Sequence, residues 1–254
     1  MASKVRLDQL LVARGLCPSR EQAQRLILAG EVRIGTEVAE KPGRKVAPDA
    51  VLELKDKPRY VSRGGFKLEG ALGAFSVDVD RLICLDVGSS TGGFTDCLLQ
   101  HGALRVYAFD VGTNQLAFKL RIDPRVRVRE NFNCRRLAPA DIGEPIDLAV
   151  ADLSFISLTL VLPAVTSCLK PVTGQVICLI KPQFELNPER VGRGGIVRDA
   201  EARNAAVEKI RQWVGAHPRL KWAGLIESPI TGTDGNVEFL AWIQQHPPPA
   251  TALA

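Results

Sequence analysis

Continuous apolar segments that end in polar residues constrain the fold of this 254-residue chain more than any other feature. Four of them are RLICLDV, ALRVYAFD, DLAVAD and QVICLIK, and helical patterns separate them. Such runs are typical of strands buried on both faces of a parallel sheet. Two further strand-like segments, LKWAGLIESP and VEFLAWIQ, follow a last helical segment, AEARNAAVEKIRQWVGAH. Residues 60–246 are therefore predicted to form a doubly wound α/β domain.

Residues 1–59 are predicted to form a separate small α+β unit. RLDQLLVARG carries a helical leucine stripe, and SREQAQRLILAG has a full helix signature, with Ser19 as cap, Gln22 three residues later and Gly30 past the end. EVRIGTEV and AVLELK predict short strands around KPGRKVAPD, which supplies turn residues. A core of this size is marginal alone, so such a unit commonly depends on a partner or a ligand.

The net positive charge of the chain is concentrated in this N-terminal unit. The chain carries a net charge of +5, and the first 60 residues hold nearly all of the excess. This favours an anionic partner, against the alternative of an ordinary solvated basic surface. Scattered cysteines without a C-x-x-C pair predict buried reduced thiols and no metal site. The sequence shows no apolar run of membrane-spanning length and no signal peptide, so we expect a cytoplasmic protein that does not bind membranes.

A glycine-rich loop, CLDVGSSTGGFTD, follows the first predicted strand of the sheet. Its spacing differs from the dinucleotide fingerprint G-x-G-x-x-G, and Asp86 would repel a pyrophosphate. Asp110 ends the next strand, where a carboxylate commonly binds ribose hydroxyls, unless it merely caps a following helix. A nucleoside with a cationic, amino-acid-like end fits both carboxylates, which predicts S-adenosyl-L-methionine. The predicted cofactor contacts are Asp86, Gly88, Ser89, Ser90, Thr91, Gly92, Gly93, Phe94 and Asp110.

Four polar side chains near the predicted strand ends form a second candidate group. Asp152 and Lys181 close apolar strands, Glu238 opens the last strand, and Lys67 lies in the helix before the first strand of the sheet. Burying an unpaired ammonium group is costly, so Lys181 needs a carboxylate partner, and Asp152 on the neighbouring strand is well placed. The alternative is a purely structural ion pair.

The order Lys67, Asp152, Lys181 and Glu238 resembles the Lys-Asp-Lys-Glu tetrad of FtsJ-type ribose 2′-O-methyltransferases. Six stretches resemble its TlyA (haemolysin A-like) branch more closely: VSRGGFKL, DVGSSTGGFTD, ADLSFISL, KPQFE, GRGGIVRD and GNVEFL. The motifs R-L-D-x-x-L, S-R-x-x-A-x-x-L-I and G-x-V-R-I resemble the alpha-L RNA-binding domain, with Ile34-Gly35-Thr36 in place of its usual turn. Residues 111–121 depart from the branch pattern near the expected adenine contacts.

The resemblance implies methyl transfer from S-adenosylmethionine to a ribose 2′-hydroxyl of ribosomal RNA or ribosomal subunits. It implies a Rossmann-like methyltransferase sheet over residues 60–246 with an antiparallel last strand, an RNA-binding domain over 1–59 and a disordered tail at 247–254. Lys181 is expected to act as base or to orient the hydroxyl, with Lys67 as a second cation, and Asn133 is expected near the adenine. The expected RNA contacts are Arg6, Ser19, Arg20, Arg25, Arg33, Arg63, Arg190, Arg193 and Arg198.

Segment 187–199 is expected to be a flexible basic loop that closes over RNA. Three alternatives stay open: a non-catalytic RNA-binding or ribosome-associated factor, a haemolysin-type protein, and a small-molecule methyltransferase. A monomer is expected, and the target nucleotide is left open.

Overall fold

The structure, a computed structural model, describes residues 3–55 and 58–247. The chain divides into two compact units, Met1–Arg59 and Tyr60–Ala254. All of the predicted disordered tail except Pro247 lies outside the described residues.

The N-terminal unit combines two helices with short antiparallel strands. Its elements are β1 Val5–Arg6, α1 Leu7–Ala13, α2 Arg20–Leu28, β2 Val32–Ile34, β3 Glu37–Val38, β4 Lys45–Val46 and β5 Leu52–Leu54. Strands β3, β2 and β5 form one sheet, and β1 pairs with β4. The structure confirms the predicted cap, because the Ser19 side chain accepts a hydrogen bond of 3.2 Å from the backbone N–H of Gln22. Gly35 has a φ of 58° in the connection between β2 and β3, so a turn is retained where the sequence departs from the usual motif.

Strands β1 and β4 were not predicted, and β4 lies inside the segment predicted as a turn. Each has two residues, which is too short to show the alternation that identifies a strand. The core of the unit is formed by leucines of α1, Ala23 and Ile27 of α2, and Val32 of β2, which are buried together.

In the described part of the second unit, seven strands form one sheet. They are β6 Ile83–Val87, β7 Arg105–Phe109, β8 Val126–Arg129, β9 Leu148–Ala151, β10 Gln175–Ile180, β11 Leu220–Glu227 and β12 Phe239–Gln245. Their order is β11-β12-β10-β9-β6-β7-β8. Strand β12 is antiparallel to both neighbours, and the pairs from β10 to β8 are parallel. The predicted mostly parallel sheet with an antiparallel last strand is confirmed.

Both faces of this sheet are covered, as the apolar runs predict. The helices are α3 Gly64–Phe75, α4 Gly93–Gln100, α5 Phe118–Arg121, α6 Pro139–Ile142, α7 Leu162–Ser167, α8 Pro182–Glu185 and α9 Ala200–Gly215. Successive residues of a strand point to opposite faces of the sheet and so belong to different hydrophobic cores. Leu85 and Ala149 pack in one core, and Cys84 and Leu148 in the other. The six cysteines are free and buried, as predicted.

The switch point of the sheet lies between β6 and β9, which are neighbours although β7 and β8 separate them in sequence. Val87 at the end of β6 pairs with Ala151 at the end of β9. Ligands of doubly wound sheets bind outside the strand ends at such a point. Within residues 3–55 and 58–247, no helix is long and apolar enough to cross a membrane, and no group of His, Cys, Asp and Glu side chains could hold a metal ion.

Candidate active site

The four polar residues at the strand ends form two ion pairs. Lys67 in the first turn of α3 pairs through Nζ with Oε2 of Glu238, the residue that precedes β12. Lys181 follows β10, and its Nζ lies 2.6 Å from Oδ1 of Asp152, which follows β9. The structure therefore places Asp152 as the partner of Lys181, as the sequence predicts.

The two pairs differ in burial. The side chains of Lys67 and Glu238 are 8% and 3% exposed, whereas those of Lys181 and Asp152 are 12% and 23% exposed. Lys181 Nζ also donates a hydrogen bond of 3.1 Å to Oγ of Ser154. All four residues line one cavity of about 330 Å³. The Lys181–Asp152 pair is the more exposed of the two.

A second cavity, of about 500 Å³, adjoins the first. Its wall includes Asp110 at the end of β7, together with Phe132 and Asn133 beyond β8. The residues common to both cavities are Gly88, Ser90, Asp152 and Ser154. The two cavities therefore meet at the switch point of the sheet.

The glycine-rich loop passes close to the end of β9 at Gly88. The φ of Gly88 is 84°, and a Cβ there would lie 2.5 Å from the backbone oxygen of Asp152. Any side chain would therefore be both strained and in collision. The absence of a side chain lets the loop turn directly above the neighbouring strand, and this turn forms the shared wall of the cavities.

Asp110 fixes the far side of the same loop. Its Oδ2 accepts a hydrogen bond of 2.8 Å from the N–H of Ser90, and its Oδ1 accepts one of 2.6 Å from the N–H of Gly112. The alternative that Asp110 caps a helix is wrong, because residues 111–117 are bent but not helical and α5 begins at Phe118. A carboxylate has about four acceptor positions, so Asp110 retains capacity toward the second cavity.

Asp86 lies in β6, fully buried, and lines neither cavity. Its Oδ2 accepts a hydrogen bond of 2.6 Å from Oγ1 of Thr95, and its Oδ1 has no partner among the described residues. Burial, together with the nearby charges of Asp152 and Asp110, raises the pKa of Asp86 to about 7. Its predicted cofactor contact stays a prediction.

The remaining predicted cofactor residues divide between the cavities. Those on the first cavity are Gly88, Ser89, Ser90, Thr91, Gly93 and Phe94. Asn133 lies on the second cavity, and its side chain accepts a hydrogen bond of 3.1 Å from the N–H of Arg135. Gly92 lines neither cavity; its φ is 95°, and it packs against Leu116 and Leu120.

In the N-terminal unit, two of the predicted RNA contacts converge on Asp8. This fully buried carboxylate accepts two hydrogen bonds from Arg6, one from Arg20 and one from Gln24. These donors hold the pKa of Asp8 well below its usual range, with the hydrogen bond of Arg6 as the largest cause. Ser19 is occupied as a helix cap. The predicted RNA contacts of this unit stay predictions.

The predicted RNA-contacting arginines of the second unit are exposed, and one of them lies at the candidate site. Arg63 lines the first cavity and donates a 3.4 Å hydrogen bond to Oγ1 of Thr233. The arginines of the predicted RNA-closing loop, Arg190, Arg193 and Arg198, are exposed.

Asn236 ties down the loop of residues 187–199, a role that the sequence did not predict. Its Oδ1 accepts a 2.9 Å hydrogen bond from the N–H of Val197, and its Nδ2 donates one of 2.9 Å to the oxygen of Gly195. Asn236 and Val197 are buried. In this conformation the loop is anchored at its C-terminal half.

Two further buried carboxylates were missed although their motifs were recognised. Asp96, within the glycine-rich motif, accepts a 2.8 Å hydrogen bond from the N–H of Val61 and pairs with Lys119 at 2.9 Å. Glu185, within KPQFE, accepts from Ser157 and from the N–H of Leu158. In both cases the sequence offered one sign of such a role: an acidic residue within a recognised motif, close to a predicted site residue.

Comparison with known proteins agrees with this architecture. Residues 60–245 match the model of FtsJ-like methyltransferases, and residues 5–52 match the S4 domain. The chain is 47% identical to the 16S/23S rRNA (cytidine-2′-O)-methyltransferase TlyA of Mycobacterium tuberculosis, over 96% of this chain and 91% of the relative. It is 43% identical to Hemolysin A of Brachyspira hyodysenteriae, over 93% of this chain and 98% of the relative.

Solved structures show the same fold. A Streptococcus thermophilus structure matches with a TM-score of 0.72 and 44% identity, and covers 100% of this chain and 92% of that chain. A Bacillus cereus O-methyltransferase shares the fold at a TM-score of 0.50 and 16% identity, over 74% of this chain and 84% of that chain. The chain therefore belongs to the family of FtsJ-like methyltransferases and carries an S4 domain in its N-terminal unit.

Proposed function

We propose that this protein transfers a methyl group from S-adenosyl-L-methionine to a ribose 2′-hydroxyl of ribosomal RNA. The observation that carries the proposal is the arrangement of the Lys67–Glu238 and Lys181–Asp152 pairs on one cavity, which opens into a second at Gly88. The activity for which the Mycobacterium tuberculosis relative is named supports the substrate assignment. The proposal places the protein in the cytoplasm with its ribosomal substrate.

The second cavity has the chemistry that an adenosine-containing sulfonium compound requires. Asp110 offers free acceptor positions to ribose hydroxyls, Asn133 offers an amide, and Phe132 offers an aromatic wall. At the wall shared with the first cavity, Asp152 Oδ1 is buried. Lys181 Nζ lies 2.6 Å from this oxygen. When bound, S-adenosylmethionine supplies an electrophilic methyl group.

The residues of the first cavity supply what a ribose hydroxyl lacks. A hydroxyl is a poor nucleophile, so it needs a group that orients it and receives its proton near the electrophile. Lys181 reaches the first cavity and is the proposed base or orienting group, and Asp152 compensates its charge. The more buried Lys67–Glu238 pair is the proposed second cation with its counter-ion. Alignment of the hydroxyl by these groups would supply much of the rate.

Recognition of RNA is assigned to the exposed arginines. Arg25 and Arg33 of the N-terminal unit are exposed, as are Arg63 and the arginines of segment 187–199. Guanidinium groups bind phosphate through paired donors and increase affinity for polyanions in a salt-dependent way. The match of residues 5–52 to the S4 domain supports this role for the N-terminal unit.

The test is methyl transfer from labelled S-adenosylmethionine to purified ribosomal subunits and to naked ribosomal RNA. We expect labelled RNA whose backbone resists alkaline cleavage at the modified nucleotide. Lys181→Met should lower kcat/KM by about 10²–10⁴-fold with RNA binding retained. Lys170→Met is the matched control, because Lys170 is exposed, pairs with Asp147 and lines neither cavity.

Two results would contradict the proposal. Labelling of none of the RNA substrates by the wild-type protein would remove the methyltransferase assignment, and RNA binding without transfer would favour a non-catalytic ribosome-associated factor. Because one relative is named Hemolysin A, the same preparation is tested on erythrocytes without cofactor. Lysis there would favour the haemolysin alternative.

A further inference from the structure

The segment from Asp152 to Leu160, called here the β9 loop, is held in an unusual conformation. Phe155 in its centre has a φ of 63° and is 90% exposed. A bulky residue in the left-handed region is strained, and such a turn persists only when the surrounding structure over-determines it. The β9 loop therefore needs contacts that hold it in place.

Glu185 provides one of these contacts. Its side chain is almost fully buried, and its Oε1 accepts a 2.7 Å hydrogen bond from the N–H of Leu158 while Oε2 accepts from Oγ of Ser157. Lys209 completes the cluster, with Nζ 3.1 Å from Oε2. The C-terminal half of the β9 loop is thereby fixed to α8, of which Glu185 is the last residue.

Ser154 provides the second contact, at the catalytic end of the same loop. Its Oγ accepts the 3.1 Å hydrogen bond from Lys181 Nζ, and Lys181 immediately precedes α8. Among the described residues, this is the hydrogen bond that Nζ of Lys181 makes. Asp152 Oδ1 lies closer, at 2.6 Å, as the ion-pair partner of the same Nζ. Ser154 and Asp152 together therefore restrict rotation about the Cε–Nζ bond.

We propose that Ser154 is a positioning residue of the proposed methyl transfer, which directs the proton-accepting position of Lys181 at the target hydroxyl. The inference rests on the proposed function. Lys181 can accept a proton only after its ammonium group has lost one to solvent; the neutral lysine then has two N–H bonds and one lone pair in tetrahedral directions. With one N–H donated to Ser154, rotation is restricted and the lone pair can be held toward the first cavity, which both residues line.

The direction of the Lys181 lone pair matters because the methyl transfer releases the proton of the hydroxyl. The ribose oxygen forms a bond to the methyl carbon, the sulfur–methyl bond breaks with its electron pair remaining on sulfur, and the hydroxyl proton moves to Nζ of Lys181. Misdirection of the lone pair would slow this step but would leave both binding cavities intact. Because Ser154 is exposed, its removal creates no buried cavity, and loss of rate can be separated from loss of folding.

The experiment compares Ser154→Ala, Ser154→Thr and Ser167→Ala in labelled methyl transfer to ribosomal subunits. We expect Ser154→Ala to lower kcat about tenfold, the value of one hydrogen bond. The KM for RNA, the Kd for S-adenosylmethionine and the Tm should stay unchanged. Ser154→Thr retains the hydroxyl and should restore most of kcat. Ser167→Ala, which removes an exposed hydroxyl bonded to the oxygen of Ala164, should match the wild type.

The Glu185→Gln variant provides an independent arm. It weakens the attachment of the β9 loop, so it should lower kcat, and adding Ser154→Ala should cause little further loss because both changes act through the contact of Ser154 with Lys181. A kcat of Ser154→Ala within twofold of the wild-type value, or a parallel fall of kcat, RNA affinity and Tm, would overturn the inference. An inactive wild-type protein would instead overturn the proposed function.

Discussion

Replacing Lys67 by Met tests whether the Lys67–Glu238 pair is a buried charge pair. Methionine retains most of the length of the lysine side chain but removes the cation. The Glu238 side chain is 3% exposed, so its carboxylate would be left buried without its counter-ion. Removal of one partner of a buried pair costs about 3–5 kcal/mol. We therefore expect the free energy of unfolding of the second unit to fall by about that amount.

The assay can be confined to the second unit. The three tryptophans, Trp213, Trp222 and Trp242, all lie in it, so denaturation followed by tryptophan fluorescence reports its unfolding. For a domain of this size, about 2–4 °C of Tm accompany each kcal/mol. The expected loss therefore corresponds to about 6–20 °C in Tm.

Two variants control the interpretation. Lys170→Met breaks the pair with Asp147, in which the lysine side chain is 55% exposed, and should cost about 0–1 kcal/mol. The double variant Lys67→Met/Glu238→Leu removes both buried charges and should recover most of the loss. If Lys67→Met unfolded within about 0.5 kcal/mol of Lys170→Met, the reasoning from burial would be refuted.

Three further predictions address other parts of the chain. The pKa of Asp86, about 7, is raised above its reference value of 3.8. Its contribution to stability is therefore complete below about pH 4 and is lost as the pH rises to about 7, so Asp86→Asn should flatten the decline of the urea midpoint between pH 5 and 8. Gly65→Ala would place a Cβ 2.2 Å from the ring of Tyr60, and should lower the unfolding free energy by about 1–3 kcal/mol in the fluorescence assay. Arg25→Ala should reduce the slope of log K for ribosomal RNA against log salt by about one, and an unchanged slope would place Arg25 outside the RNA interface.

Features set by local pattern were predictable from the sequence. The strands of the sheet are continuous apolar runs because they are buried on both faces, and α2 is bounded by Ser19 and Gly30 because a helix end needs a cap and a left-handed residue. The pairing of Lys181 with Asp152 was also predictable, because both residues end neighbouring parallel strands.

Features set by tertiary packing were not predictable from pattern alone. Glu238 pairs with Lys67, 171 positions earlier in the chain, and no local pattern specifies that meeting. Asp110 was left between a ribose ligand and a helix cap, because residues 111–117 have no clear periodicity. The hydrogen bond from Thr95 to the buried Asp86 is likewise not revealed by the spacing of the glycine-rich loop.

The difference between the two ion pairs suggests a division of tasks within the first cavity. Lys67 and Glu238 are so buried that neither can move without exposing an unpaired charge, which suits a fixed electrostatic frame. Lys181 and Asp152 are more accessible, with side chains 12% and 23% exposed, so a hydroxyl that enters the cavity can reach Lys181. The four formal charges sum to zero, so the cavity carries no net charge from these residues when the neutral hydroxyl enters it. A proton-accepting role therefore fits Lys181 better than Lys67. We expect Lys181→Met to lower the free energy of unfolding by less than Lys67→Met does in the same assay.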